Sequence, residues 1–351
     1  MVSENRAAFL VERGESLQVG PAPVTNPGPN QVLVRNRAIA INPVDWMMRD
    51  QGVFPGELPD ILGCDLAGDI VEVGTDVKGL KVGQRVLGES LQTLDNLHQP
   101  TCFPALCCSI ESKSSYEEVY SNCHAPNFSC FSLSVGHALR IGTGNIAHSA
   151  FQEYTVVEAQ ATTPLPDSIS YEAASVLPLS LSTAAQGLYS KAHLALPLPS
   201  HSPDMTGKTI LVWGGSGSVG AATVQLASAS GLTVISTSSP KNFDFVKGLG
   251  AKEVFDYNKS SVVADVVSAL QGQDLVGAFD GMLLYCSSAQ PLTCNAGTGS
   301  KDSAEAVAQV MSQLGGGKIA SALNTAEAPH VAATMGEYFQ DQFHYLLLTT
   351  A

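Results

Sequence analysis

The sequence is short of positive charge. Its 18 Lys and Arg are set against 32 Asp and Glu in 351 residues, a formal net charge of −14. Such a surface repels phosphate backbones and anionic lipid, which excludes nucleic acid and membrane surfaces as general partners. No apolar run is long enough to span a bilayer. The first sixteen residues place charges on both sides of a very short apolar patch and lack the h-region of a secretory signal. The expectation is a cytoplasmic protein acting on a small-molecule substrate. Cysteine is absent from most of the chain. Cys102, Cys107, Cys108, Cys123 and Cys130 crowd one stretch, Cys286 and Cys294 another, and only Cys64 stands apart.

What is present is ample apolar material, 44% of the residues, and enough length for two domains of ordinary size. Residues 31–41 alternate with the period of a strand, and Asn42-Pro43 ends the run as a turn. Residues 61–74 read as strand pieces broken by glycine, and 81–87 as a turn and a further strand. This part is a mostly β domain. From Lys208 short apolar strands alternate with helices, with strands expected at 209–213, 232–237, 253–257, 275–280 and 318–323. Helices are expected between them at 219–230, 242–249, 262–270 and 303–314, a pattern that implies a parallel sheet covered on both faces.

After the first of these strands stands Gly214-Gly215-Ser216-Gly217-Ser218-Val219-Gly220. Gly215, Gly217 and Gly220 fit G-x-G-x-x-G, with a strand before and a helix after, the context of a dinucleotide site. The first glycine is expected to permit a tight turn, the second to let backbone approach a pyrophosphate, the third to allow close helix–strand packing. The helix N-terminus offers N–H groups to the phosphates, so Ser216, Ser218 and Val219 join the expected site. At the end of the second strand, NAD sites place an Asp or Glu for the ribose hydroxyls. Here stands Thr237-Ser238-Ser239-Pro240-Lys241, with no carboxylate to repel a 2′-phosphate. The Ser238 and Ser239 hydroxyls and the Lys241 cation suit that phosphate, and the expected cofactor is NADPH.

The ordered motifs together resemble one family. They are Asn42-Pro43-Val44-Asp45-Trp46, Gly63-Cys64-Asp65-Leu66-Ala67-Gly68, Val71-Glu72-Val73-Gly74, Ala150-Phe151-Gln152-Glu153-Tyr154, the Leu177-Pro178 region and the glycine loop. The chain resembles the zinc-lacking medium-chain dehydrogenases/reductases, including quinone oxidoreductases and the trans-acting enoyl reductases of polyketide synthesis. Ser239-Pro240-Lys241-Asn242-Phe243-Asp244 is particularly like the enoyl reductase branch.

The resemblance implies an α/β fold: a GroES-like β domain over 1–170 and a Rossmann doubly wound parallel sheet over 171–323. Zinc-dependent relatives carry a Cys where Val44-Asp45 stand and Gly-His-Glu where Gly63-Cys64-Asp65 stand. Cys64 alone cannot form a three-ligand zinc site, and it reads as a small buried residue. The resemblance therefore implies hydride transfer from NADPH to an activated C=C bond without a metal. It puts Asn42 and Asp45 near nicotinamide and substrate, and Tyr257 near the adenosine. The plainer readings are a turn at Asn42-Pro43 and a strand-end aromatic at Tyr257. An enoyl thioester on a polyketide synthase is the implied substrate. Quinone reduction and a catalytically inactive NADPH-binding protein are the alternatives. Monomer and homodimer both fit.

Two stretches, 89–136 and 282–297, interrupt the family pattern, and 324–351 diverges from it. We read the two stretches as retained introns or gene-model errors: Gly88-Glu89-Ser90 and Gly281-Met282-Leu283 can be encoded with splice-donor sequences, and Val135-Gly136 and Ala296-Gly297 with acceptors in the same phase. The rival is a zinc lobe, but C-x4-C-C-x14-C-x6-C lacks the close thiolate pairs of such sites. Stoichiometric, tightly held zinc in the purified protein would overturn the intron reading. Relatives continue with more Rossmann strands, so the C-terminal part reads as incomplete. The chain as written is expected to be poorly soluble or inactive.

Overall fold

A computed structural model describes residues 2–52, 56–89, 91–92, 137–138, 145–190, 193–282 and 303–322. The expectations for 93–136, 283–297 and 324–351 lie outside these residues. The chain forms two compact units that divide between Ser182 and Thr183.

The first unit is built from short antiparallel strands. β1 (Asn5–Leu10) and β2 (Gln18–Ala22) form a hairpin, followed by β3 (Gln31–Ala40) and the helix α1 (Pro43–Gln51). Then come β4 (Asp60–Ile61), β5 (Asp65–Val73) and β6 (Arg85–Glu89). The short strands β7 (Leu91–Gln92) and β8 (His137–Ala138) pair with each other, so the flanks of the first cysteine-rich stretch lie side by side. β9 (Tyr154–Glu158) and β10 (Thr162–Pro164) complete the strands, and α2 (Tyr171–Ser175) and the start of α3 (Pro178–Tyr189) close the unit. The strands make a three-stranded sheet, β2-β1-β4, and a five-stranded sheet, β10-β6-β5-β3-β9. Val32, Val34, Leu66, Ile70, Val86, Ala150 and Val157 pack together in a buried core.

Two features depart from the sequence reading. Asn42-Pro43 is not a plain turn: Asn42 is the extended N-cap of α1, and Pro43 occupies the first helical position, where its missing N–H costs nothing. The unit also extends past residue 170. Ala174 of α2 packs with Ala67, Leu87 and Leu165, and the Tyr171 hydroxyl donates to Asp69 at 2.5 Å. Arg85 lies 4.4 Å over the Tyr171 ring, and its guanidinium donates to the Pro166 and Ile169 carbonyls. These contacts hold α2 on the β domain.

The second unit alternates strand and helix: β11 (Lys208–Trp213), α4 (Ser218–Ala229), β12 (Thr233–Ser238), α5 (Phe243–Gly248), β13 (Ala251–Asp256), α6 (Val262–Leu270), β14 (Asp274–Asp280), α7 (Ser303–Gln313) and β15 (Ile319–Ser321). A 3₁₀ turn, Pro240–Asn242, precedes α5. All strand pairings are parallel, in the order β13-β12-β11-β14-β15. The order reverses at β11, so the loop after β11 opens at the switch point where doubly wound sheets bind ligands.

Leu211, Trp213, Ile235 and Ala278 of the sheet pack against Val266, Leu270, Val307 and Val310 of α6 and α7 in one buried core. On another part of the sheet, Phe279 is 1% exposed. Its ring fills the space a Cβ at Gly187 of α3 would take. Burying such a side chain stabilises by about 1.5–3 kcal/mol. Asp280 joins the flanks of the second cysteine-rich stretch: its carboxylate accepts from Met282 N at 3.0 Å and Ser303 Oγ at 2.8 Å. Among the described residues no helix is long and apolar enough to cross a membrane.

Candidate functional site

The glycine loop is held by the end of β12. Gly214 N donates to Thr237 Oγ1 at 3.0 Å and Gly215 N to the Thr237 carbonyl at 2.9 Å. Each glycine has its own physical reason. Gly214, at φ +82°, makes the left-handed turn expected of Gly215. Gly215 is required by packing, since an added Cβ would overlap Ser236 Oγ, which is fixed on the Val212 carbonyl at 2.8 Å. At Gly220 a Cβ would overlap the Gly214 carbonyl oxygen, so the third glycine does permit the close approach of α4.

Gly217 differs. Among the described residues a Cβ there would meet nothing nearer than Gly214 O at 3.7 Å and Gly281 O at 3.8 Å. The backbone thus leaves an open cradle. Gly217 is the N-cap of α4 and caps it with no side chain, so the first N–H groups of the helix are left for another partner. Ser216 is half-buried, Ser218 exposed and Val219 buried. A diphosphate fits this arrangement of open backbone and helix N-terminus.

The end of β12 divides the three residues expected to meet a 2′-phosphate. Ser238 is fully buried, with its hydroxyl on the Ser239 carbonyl at 3.1 Å. Ser239 is half-buried and its Oγ accepts from Asn242 Nδ2 at 3.2 Å, which leaves the hydroxyl proton to donate elsewhere. Lys241 is exposed in the 3₁₀ turn. Tyr257 follows β13, half-buried, and packs against the core of the second unit.

In the first unit the family motifs meet in a buried polar cluster. Asp45, 3% exposed, accepts from Asn42 N at 2.7 Å and from Gly63 N at 3.1 Å. Asp65, 1% exposed, accepts from Asn42 Nδ2 at 3.1 Å and from Leu179 N at 3.1 Å. Cys64, between Gly63 and Asp65, is buried. The two carboxylates are thus satisfied by N–H donors rather than by cations.

Burial pushes the Asp45 carboxyl up to about 7, against the lowering effect of the Asn42 and Gly63 amides. Burial likewise raises Asp65, to about 8. The charge of Asp45 adds to that rise, while Asn42 and Leu179 oppose it. Burial, the first cause of both shifts, thus holds protons in this cluster well above the usual carboxylate range. Among the described residues no group of three His, Cys, Asp or Glu is placed to hold a metal ion.

Asp65 and Thr237 stand in the quoted motifs but were not read as site residues, and Thr183 was passed over. Thr183 Oγ1 is buried and has no hydrogen-bond partner among the described residues. A buried hydroxyl without a partner costs free energy. A Thr inside an Ala/Leu-rich helix is the only local signal of it.

Comparison with known proteins agrees with this architecture. Residues 28–167 match the alcohol dehydrogenase GroES-like domain. The chain is 37% identical over 277 residues to Dehydrogenase azaJ of Aspergillus niger, covering 78% of this chain and 66% of that protein. It therefore spans about two thirds of the length of that relative. It is 34% identical over 275 residues to Trans-enoyl reductase tazE of Aspergillus terreus, covering 77% of this chain and 74% of the relative. Among solved structures, an alcohol dehydrogenase superfamily protein from Novosphingobium aromaticivorans shares the fold. It superposes with a TM-score of 0.58 at 20% identity, over 97% of this chain and 88% of the other. A GroES-like β unit followed by a Rossmann unit, with relatives of this closeness, makes the chain a member of the medium-chain dehydrogenase/reductase family.

Proposed function

We propose that this protein reduces an activated C=C bond with NADPH, by hydride transfer without a catalytic zinc. The observation that carries the cofactor is the glycine cradle at the switch point beside a β12 terminus free of carboxylate. The likeness to Trans-enoyl reductase tazE supports the C=C bond as the target. On this reading an enoyl thioester carried by a polyketide synthase is the substrate.

Reduced nicotinamide, when bound, supplies a hydride. The residues of this chain do the rest. Gly217 and the first N–H groups of α4, at Ser218 and Val219, receive the pyrophosphate. Ser239 and Lys241 receive the 2′-phosphate, and Ser238 holds the loop beneath them through the Ser239 carbonyl. Tyr257 borders the adenosine. Asn42 orients the reacting groups, and Asp45 holds Asn42 through its backbone N–H. Val44-Asp45 and Gly63-Cys64-Asp65 stand where zinc-dependent relatives carry Cys and Gly-His-Glu, which supports a metal-free reaction.

Lys241→Ala is expected to weaken NADPH binding about tenfold and to leave NADH binding unchanged, since one charge-assisted contact to a phosphate is worth about 1.5–3 kcal/mol. Titrations with both cofactors measure it, and an unchanged ratio of affinities rejects the 2′-phosphate assignment. The reaction is tested by following NADPH oxidation with an enoyl thioester and with a quinone. Turnover of the thioester supports the proposal. Quinone turnover alone assigns the second chemistry, and NADPH binding with no acceptor turned over makes the chain a binding protein.

A further inference from the structure

Asp65 lies at the start of β5, and nothing in the proposed reaction uses it directly. Its two oxygens nevertheless reach two separate segments: Asn42, the N-cap of α1, and Leu179, the second residue of α3. One buried carboxyl group therefore stands at the N-termini of two helices and accepts a hydrogen bond at each. Once Asp65 is ionised, above about pH 8, both its oxygens are acceptors and the Asn42 amide presents its Nδ2 to them. Asp45 grips the same residue at its backbone N–H, at 2.7 Å. Asn42 is thus fixed twice, once in the main chain by Asp45 and once in the side chain by Asp65. Leu179 has Thr183 one helical turn further along α3, so whatever fixes the first turn of that helix also fixes the start of the Thr183 face.

We propose that Asp65 is a positioning residue, which sets the orientation of the Asn42 amide and anchors the first turn of α3. The claim rests on the proposed reaction only for Asn42. The anchoring of α3 stands without it. Replacing the carboxylate by an amide separates the two duties. In Asp65→Asn the amide oxygen still accepts from Leu179 N, and the new NH₂ meets Asn42. The Asn42 amide must then turn over and present its oxygen, so its donor and acceptor exchange places. Asp65→Ala removes both duties.

The test uses the full chain and two readouts. Hydrogen–deuterium exchange over residues 177–182 reports the α3 anchor. Steady-state kinetics with an enoyl thioester, alongside NADPH titration, report Asn42. Exchange over this segment is expected to rise about tenfold in Asp65→Ala, which leaves the buried Leu179 N–H without its acceptor. In Asp65→Asn exchange stays at the parent level while kcat falls about tenfold or more. NADPH affinity is unchanged in Asp65→Asn, because the cradle belongs to the other unit. Should alanine prevent folding, Asp65→Ser, too short to reach both partners, replaces it. Parent-level exchange in Asp65→Ala overturns the anchor, and parent-level kcat in Asp65→Asn overturns the orientation of Asn42. If the parent chain turns over no acceptor, the proposed reaction fails while the exchange result still decides the anchor.

Discussion

Gly217→Ala is expected to fold as the parent does and to lose NADPH binding by about a hundredfold, whereas Gly220→Ala loses the fold of the second unit along with the cofactor. The contrast follows from what each new methyl group would touch. At Gly217 it meets no atom of the described residues closer than 3.7 Å, and the residue has an ordinary φ of −73° that alanine adopts without strain. The only structural cost is a poorer N-cap, about 1 kcal/mol or less. A methyl group there nevertheless fills the cradle in which a pyrophosphate would lie. At Gly220 the methyl group overlaps the Gly214 carbonyl oxygen, and backbone must move to admit it. Overpacking a well-filled site costs about 1–3 kcal/mol, and more where backbone rather than a side chain has to yield. Thermal melting and NADPH titration of the two variants measure both effects. Undiminished NADPH binding by a folded Gly217→Ala protein would remove the pyrophosphate from this loop.

The second large effect is a stability that declines as pH rises. In the unfolded chain Asp45 and Asp65 release their protons near the ordinary carboxylate value of 3.8. In the folded chain burial holds those protons until about 7 and about 8. Between these limits the folded state binds more protons than the unfolded one, so unfolding becomes easier with every rise in pH. The contribution of the pair is complete below about 3.8 and is lost as pH rises through about 7 and 8.

Melting temperatures measured from about pH 5 to about pH 8.5 are therefore expected to fall across the range. Asp65→Asn, which cannot ionise, removes one of the two buried titrating groups and flattens that profile. At the alkaline end it melts about 2–4 °C above the parent, the shift that about 1 kcal/mol produces in a domain of about 150–250 residues. Parallel profiles for parent and variant would show that Asp65 ionises as freely in the folded chain as in water.

Much of the second unit was legible in the chain. The strand–helix alternation from Lys208 onward and the spacing of Gly215, Gly217 and Gly220 are local patterns, and the elements fall close to where those patterns place them. The role of individual glycines was less legible. The sequence reading gave the tight turn to Gly215, yet Gly214 carries the positive φ, and Gly215 is needed because Ser236 stands over it. Ser238 and Ser239 look alike in sequence and are separated by burial, since one ends a strand inside the sheet and the other lies beyond it. Asn42-Pro43 read as a stop signal. Its second meaning, an N-cap followed by proline at the first helical position, depended on the nine residues after it forming α1.

The sequence by itself determined the class of the fold, the place of the glycine loop and the lack of an acidic residue at the end of β12. Each of these is written in neighbouring residues, and local periodicity and turn chemistry suffice to read them. Tertiary structure alone decided the strand order that puts the loop at the switch point, and it alone brought the buried carboxylates to their partners. Asp65 is separated from Asn42 by 23 positions and from Leu179 by 114. No local pattern links residues so far apart. Their juxtaposition follows from the packing of α1 and α3 around the start of β5, where burial makes every N–H seek an acceptor.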